Sequence, residues 1–225
     1  MTRTARIISC IIKIAVIASA IAGSVLSAFA GRYVFMSGTR IFMYFTIQSN
    51  IALAIICAVG FVLLILNRPI SKVWYVIKFA GTVSITLTGV VFAVMLAPTL
   101  GAKAWNIQNV LTHVCVPLLS VIDFFLTCSG TGLKKKNVFY VLIPPLMYAI
   151  YAGIGYVCGW EFSPGTNYPY FFLNWGSPAG AFGFTDRLPF LGCAWWILIL
   201  CIFLILVGLG YLALADLIGR KRRRE

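Results

Sequence analysis

Long apolar segments make up most of the chain, and separators that are polar or contain Pro or Gly divide them. A membrane-spanning helix needs about 20 mostly apolar residues, and six segments meet this requirement. One separator, residues 159–189, is much longer than the others. The pattern therefore predicts an all-α fold, a polytopic membrane protein whose six transmembrane helices form one domain over residues 1–225. The predicted spans lie near residues 7–30, 42–66, 73–97, 107–127, 137–158 and 190–216.

The composition agrees with a membrane protein and excludes several other classes. Hydrophobic residues are 61% of the 225, charged residues are 10%, and the mean hydropathy is +0.99. A soluble domain averages about 25% charged residues, so a soluble globular enzyme is excluded. The 20 Gly and 9 Pro show no period, which excludes a collagen-like chain.

The basic residues indicate how the bundle is oriented. The formal net charge is +13, from 18 Lys and Arg against 5 Asp and Glu. These residues flank apolar segments, so they indicate membrane topology and no nucleic-acid partner. With a cytoplasmic N-terminus, 12 of the 18 lie on the cytoplasmic side, four on the other side and two within spans. The twelve are Arg3, Arg6, Arg68, Lys72, Lys134, Lys135, Lys136, Arg220, Lys221, Arg222, Arg223 and Arg224.

This bias predicts that both termini are cytoplasmic. We expect a multi-pass integral protein of the plasma membrane, with membrane lipids as partners and the basic tail against anionic head groups. The first segment also resembles a signal peptide, because Arg3 and Arg6 precede it and small residues end it at Ala30. It exceeds the usual 7–15 apolar residues and contains Lys13, which favours a retained first helix.

The seven cysteines include no CxxC pair, and small buried hydrophobic side chains are the default interpretation. Cys158 and Cys193 differ, because they flank the long separator near the outer ends of two spans. They are candidates for an outer-face disulfide. One histidine and few acids argue against a bound metal, and no cofactor motif is present.

Two polar clusters interrupt the apolar pattern at membrane depth. Polar groups are costly there and mark functional sites by default, although Thr and Asn also serve as structural bonds between helices. The first cluster, in the second span, comprises Thr46, Gln48, Ser49 and Asn50. The second, which opens the fourth span, comprises Asn106, Gln108, Asn109, Thr112 and His113.

Depth along the helices predicts that the two clusters meet. At 1.5 Å per residue, Thr46 lies about 6 Å and His113 about 9 Å below the same membrane boundary. Asn109 precedes His113 by one turn on the same face, and Ser120 follows it by two turns. The two spans should therefore share a polar region near the outer face.

Asp123 is the one acid well inside a span. It lies about 15 Å along the helix from His113, so it cannot orient that imidazole. Pairing with Lys13 or Lys78, which lie near the same depth, predicts a structural ion pair. The alternative is that both lysines extend to the interface.

The clusters also carry a resemblance to a known family. The run Phe45–Asn50, then Asn109–His113 followed by Pro117, and Tyr168–Pro169–Tyr170 with Phe172–Leu173–Asn174 are similar to bacterial Pr6Pr six-span membrane proteins. More distantly they resemble the androgen-induced and androgen-dependent membrane threonine hydrolases of eukaryotes. That resemblance implies hydrolysis of fatty acid esters of hydroxy fatty acids, with a Thr nucleophile and a His base. By motif position these roles fall on Thr46 and His113.

The chemistry of such a pair is straightforward. A neutral imidazole would take the Thr46 proton, the oxygen would attack an ester carbonyl, and water would then cleave the acyl-Thr46. Side-chain amides of Gln48, Asn50 or Asn109 are candidate oxyanion donors. Asn109, Glu161 and Asp186 are candidates to orient the histidine. The sequence thus predicts an intramembrane lipid-ester hydrolase acting on fatty-acyl esters. The alternative is a non-catalytic membrane protein that binds or transports a lipid or small molecule.

The long separator is too aromatic for a solvated loop, with nine aromatic residues and three charged ones between Gly159 and Pro189. We expect it to lie in the membrane interface or to fold into the mouth of the bundle. An aromatic belt and a substrate lid above Thr46 and His113 are the two interpretations. The nine are Trp160, Phe162, Tyr168, Tyr170, Phe171, Phe172, Trp175, Phe182 and Phe184.

Overall fold

The computed structural model describes residues 2–30 and 38–224, which form six long helices and no β-strand. Each helix is long and apolar enough to cross a membrane, so the prediction of an all-α six-span bundle is confirmed. The helices are α1 Arg3–Ala30, α2 Phe45–Ile65, α3 Lys72–Trp105, α4 Ile107–Cys128, α5 Lys135–Val157 and α6 Cys193–Arg222.

The helix α3 extends eight residues past its predicted end at residue 97, and the continuation is irregular. Phe92–Leu96 is a π-helical turn, Ala97–Leu100 is an α-helical turn with Pro98 near its start, and Gly101–Trp105 is a 3-10 turn. Proline is tolerated in the first turn of a helix, where its missing N–H costs no hydrogen bond. The connection to α4 is therefore Asn106 alone, whose side chain caps α4 by accepting from the Asn109 N–H at 3.0 Å.

Contacts between helix ends define two ends of the bundle. The tail end carries residues 2–6, 66–72, 129–136 and 220–224, and the loop end carries residues 38–44, Asn106 and residues 158–192. At the tail end the Arg6 guanidinium donates to the Leu64 carbonyl, and Arg222 Nη1 donates to the Leu126 carbonyl at 3.1 Å. Both described terminal segments thus lie at one end, which the charge bias predicts to be cytoplasmic.

The long loop, residues 158–192, packs onto the bundle through one half and leaves the other half exposed. Phe162, Tyr170, Phe172 and Leu173 are buried among the helices. Phe182 and Phe184 are 70% and 71% exposed. The loop therefore has a buried aromatic part among the helices and exposed aromatic rings beside it.

Cys158 and Cys193, the two candidates for an outer-face disulfide, are both free thiols in the structure. Cys158 is exposed at the end of α5, whereas Cys193 is fully buried in the first turn of α6. The Cys193 N–H donates to the Gly180 carbonyl at 3.1 Å, which fixes this turn beneath the loop.

Candidate functional site

Thr46 lies in the first turn of α2, where backbone N–H groups lack partners within the helix. The phenol of Tyr170, from the long loop, supplies the missing partner: it accepts from the Thr46 N–H at 3.3 Å. The hydroxyl oxygens of Thr46 and Tyr170 are 3.4 Å apart. Burial raises the pKa of Tyr170, so this phenol stays neutral and keeps its proton. The loop thus places a neutral donor beside the predicted nucleophile.

Thr46 and Tyr170 both line a pocket between α2, α3, α5, α6 and the loop. The space between its walls, together with the open space at its mouth, is about 630 Å³. Twelve of its 17 lining residues are hydrocarbon in character. The remaining five are Thr46, Thr88, Tyr148, Tyr170 and Cys201. Such walls suit a ligand that is mostly apolar.

The polar groups are concentrated near the loop end of this pocket, and its deep part is apolar. Leu204 lines the deep part, about 16 Å along α6 from the start of that helix. The hydrocarbon core of a bilayer is about 30 Å thick, so the pocket reaches roughly its middle. Leu146, near the middle of the span α5, lines the pocket and is 37% exposed. The pocket therefore opens sideways, at a surface that faces lipid chains.

His113 is buried one layer behind this pocket. It belongs to a π-helical turn, Leu111–Cys115, and its ring stacks on Phe92 with centroids 3.9 Å apart and planes 13° apart. Phe92 belongs to the π-helical turn of α3. A π turn inserts an extra residue into a helix and is frequent at functional sites. Here the two π turns face each other, and the His113 imidazole of one stacks on the Phe92 ring of the other.

The orientation of the His113 ring is set by the backbone of α3. Its Nδ1 atom is 3.2 Å from the Thr88 carbonyl oxygen. A carbonyl only accepts, so Nδ1 carries the proton and Nε2 is the basic nitrogen of the neutral ring. Within the described part of the chain, no carboxylate contacts the ring. The imidazole is thus prepared to accept a proton at Nε2.

Thr46 and His113 lie in one hydrogen-bonded network, but they do not bond each other in the described residues. The Asn50 amide donates to the Thr46 carbonyl at 2.8 Å and to the Thr112 carbonyl at 3.2 Å. On the other side, the Thr88 hydroxyl is 2.9 Å from the Ser49 hydroxyl, and the Thr88 carbonyl receives His113. The two clusters therefore lie at a similar depth and are connected by hydrogen bonds. The described residues include no direct hydrogen bond between Thr46 and His113.

Of the three candidate oxyanion donors, only Asn50 lies between the two clusters. Gln48 Nε2 donates to the Phe42 carbonyl at 2.9 Å, and Asn109 Nδ2 donates to the Ala104 carbonyl at 2.9 Å. Both bonds are local and complete nearby turns. Asn50 is fully buried, and its Oδ1 atom has no partner among the described atoms. An acceptor site therefore remains open beside Thr46.

The group that orients His113 was not among the predicted candidates. Asn109 bonds Ala104, and Glu161 forms an ion pair with Arg40 at 2.6 Å near the loop. Asp186 is exposed in the loop. The orienting group is instead the Thr88 carbonyl. A backbone acceptor has no sequence signature, although the alternating hydroxyls Thr82, Ser84, Thr86 and Thr88 mark α3 as a polar helix.

Asp123, Lys13 and Lys78 form a separate cluster nearer the tail end. The Lys13 ammonium is 2.7 Å from Asp123 Oδ2, and the Lys78 ammonium also bonds Asp123. All three residues are buried, so the lysines turn inward and do not extend to the interface. No group of three or more His, Cys, Asp or Glu suited to a metal ion occurs in residues 2–30 and 38–224.

Comparisons with known proteins identified no similar protein. The chain matches no protein-family model, no curated protein and no solved structure.

Proposed function

We propose that the protein binds a single-chain amphiphile, such as a fatty-acyl ester, in the pocket between α2, α3, α5 and α6. The observation that carries this proposal is the distribution of polar groups: hydroxyls of Thr46 and Tyr170 at the loop end and hydrocarbon walls down to Leu204. An amphiphile in this pocket would have its polar end near the interface and its chain toward the bilayer middle, as lipids have. The sideways opening at Leu146 gives it a path from the bilayer.

Photo-crosslinking with a diazirine-bearing long-chain fatty ester tests the binding proposal. Leu200→Trp should fill the pocket and weaken half-maximal labelling by more than tenfold, because Leu200 lines it. Leu198→Trp is the matched control, since Leu198 lies on the same helix and is 49% exposed to the membrane side. Its labelling should equal that of the unmodified protein. Equal labelling of all three proteins would contradict the proposal.

The polar end has its own test. Thr46→Val removes a hydroxyl at nearly constant size, and one lost hydrogen bond of about 0.5–1.5 kcal/mol should weaken binding by about 2–10-fold. Thr46→Ser keeps the hydroxyl and should restore most of the affinity. An unchanged affinity in Thr46→Val would remove Thr46 from the site.

We further propose, as a second function, that the bound ester is hydrolysed with Thr46 as nucleophile and His113 as base. The position of the Thr46 hydroxyl on the pocket wall favours this function, together with a basic Nε2 on His113. The Thr46 proton would pass to Nε2, the oxygen would attack the ester carbonyl, and the leaving alcohol would take the proton back. Water would then release the fatty acid from acyl-Thr46, again with His113 as base. Tyr170, as a neutral phenol, could donate to the oxyanion.

Hydrolysis requires a change from the described geometry, because the Thr46 hydroxyl contacts Tyr170 and not His113. The ester would have to displace the Tyr170 contact and bring Thr46 and His113 together. Release of fatty acid from a long-chain ester by purified protein measures this function. It should be lost in Thr46→Val and His113→Gln and retained in Thr46→Ser. Binding without release in the unmodified protein would leave the binding function and exclude the hydrolase.

A further inference from the structure

A second site is suggested by charges buried away from the pocket. Asp123 is fully buried, and Lys13 and Lys78 are 2% and 6% exposed. Lys13 comes from α1, Lys78 from α3 and Asp123 from α4. Ser9 completes the cluster, because its hydroxyl donates to Asp123 Oδ1 at 2.5 Å.

The charges of this cluster do not balance. Two ammonium groups face one carboxylate, which leaves one excess positive charge in a buried environment. The other acids in the described part of the chain lie elsewhere: Glu161 pairs with Arg40, Asp216 pairs with Arg220, and Asp186 is in the long loop. None of them compensates the cluster. A buried charge without a counter-charge is strongly unfavourable, so the cluster must either lose a proton or gain an anion.

The hydrogen-bond donors are unevenly used. The Lys13 ammonium donates to Ser9 Oγ, Asp123 Oδ1 and Asp123 Oδ2, all at 2.7 Å, which occupies its three N–H groups. Lys78 has one acceptor among the described residues, Asp123 Oδ2. An ammonium has three donors, so two on Lys78 remain for another acceptor.

A cavity adjoins these free donors. Lys13, Lys78 and Thr127 line it together with Trp74 and Tyr75, and the space between its walls and outside its mouth is about 250 Å³. Leu64 and Ile70, on either side of the tail-end connection between α2 and α3, form its rim. Gly60 makes room for the lysine, because a Cβ there would come within 2.9 Å of Lys13 Cε. The cavity thus connects the excess charge to the tail end.

We propose that this cavity binds a phosphate group, either as inorganic phosphate or as the head group of an anionic lipid. The anion would accept from Lys78 and compensate the excess charge of the cluster. The basic residues of the tail end would raise the local concentration of such anions. This proposal is independent of the pocket at the loop end.

Thermal unfolding of the purified protein in a neutral detergent tests the site. One arm adds inorganic phosphate at constant ionic strength, and the other adds a short-chain phosphatidic acid, with the matching phosphatidylcholine as its control. A ligand of the folded state should raise the unfolding temperature by roughly 2–4 °C in a saturable manner. A rise with phosphate identifies a free anion site, and a rise with phosphatidic acid alone identifies a lipid site.

Charge-balanced variants separate this site from nonspecific effects. Lys78→Met and Lys13→Met each leave one ammonium opposite Asp123, so both should lose the anion-dependent rise. Lys72→Met, an exposed position on the same helix, should keep it. A rise of the same size in Lys78→Met and Lys13→Met would overturn the proposal, because the anion would then bind elsewhere. If neither anion raises the unfolding temperature of the unmodified protein, the proposal is also overturned. The cluster would then be balanced by one neutral lysine.

Discussion

At the scale of single residues, the site depends on atoms whose roles their residue types do not reveal. The sequence predicts Thr46 and His113 at one depth because helix geometry fixes depth from residue number. It does not predict that Thr88 orients His113, because the acceptor is a backbone carbonyl that every residue carries. Gln48 and Asn109 illustrate the opposite error, since both amides serve local turns. Residue type thus pointed to two clusters that share one hydrogen-bonded network, but it misassigned several of their partners.

The Thr88 contact predicts the tautomer of His113. Because Nδ1 donates to a carbonyl, the neutral ring should carry its proton on Nδ1 and have a bare Nε2. His113 is the sole histidine, so ¹⁵N-histidine labelling gives one pair of ring signals without assignment. We expect a protonated-type shift for Nδ1 and an unprotonated-type shift for Nε2. The opposite pattern would contradict the hydrogen bond from Nδ1 to the Thr88 carbonyl, and it would also exclude Nε2 as the basic nitrogen.

At the scale of helices, the sequence predicts those features that depend on the length and apolarity of a segment. It does not predict those that depend on how the helices pack. Six spans follow from six apolar segments. The continuation of α3 through Pro98 to Trp105 does not, because a π turn and a 3-10 turn depend on neighbours and lack a sequence period. The different burial of Cys158 and Cys193 has the same origin: both lie near the loop, but packing buries Cys193 and leaves Cys158 exposed.

Close contact between α3 and α4 predicts a sensitive glycine. A Cβ on Gly89 would lie 2.8 Å from the His113 carbonyl and 3.3 Å from Pro117 Cγ. Gly89→Ala should therefore separate the two helices and destabilise the protein by about 1–3 kcal/mol. Thermal unfolding in detergent measures this effect. Gly210→Ala, where nothing lies within 4 Å of the added Cβ, should be neutral or slightly stabilising. Equal effects of the two substitutions would contradict the close contact.

At the scale of the whole molecule, the two ends differ in chemistry. The tail end carries twelve basic residues, and the loop end carries exposed aromatic rings such as Phe182 and Phe184. The sequence alone predicts this asymmetry, because charge flanking a span does not depend on how the helices pack. The pocket between α2, α3, α5 and α6 could not be predicted in the same way, since its walls come from four separate spans and the loop.

The asymmetry predicts which end faces the cytoplasm. In a variant that retains Cys158 and has the other six cysteines replaced, a membrane-impermeant maleimide should label intact cells, because Cys158 is exposed at the loop end. A cysteine placed at Lys135, also exposed but at the tail end, should be labelled only after permeabilisation. Reversed labelling of the two variants would overturn the predicted orientation.

The bond between Tyr170 and the first turn of α2 has a consequence for biogenesis. Thr46 and Tyr170 are 124 positions apart in the chain. Three spans, α3, α4 and α5, lie between them, and α6 follows Tyr170. A ribosome delivers Thr46 to the membrane long before Tyr170 is made, so the nascent α2 begins with an uncapped turn. The proposed binding of an amphiphile should therefore be acquired late, as one of the last steps of assembly, and truncated chains should insert stably yet lack it.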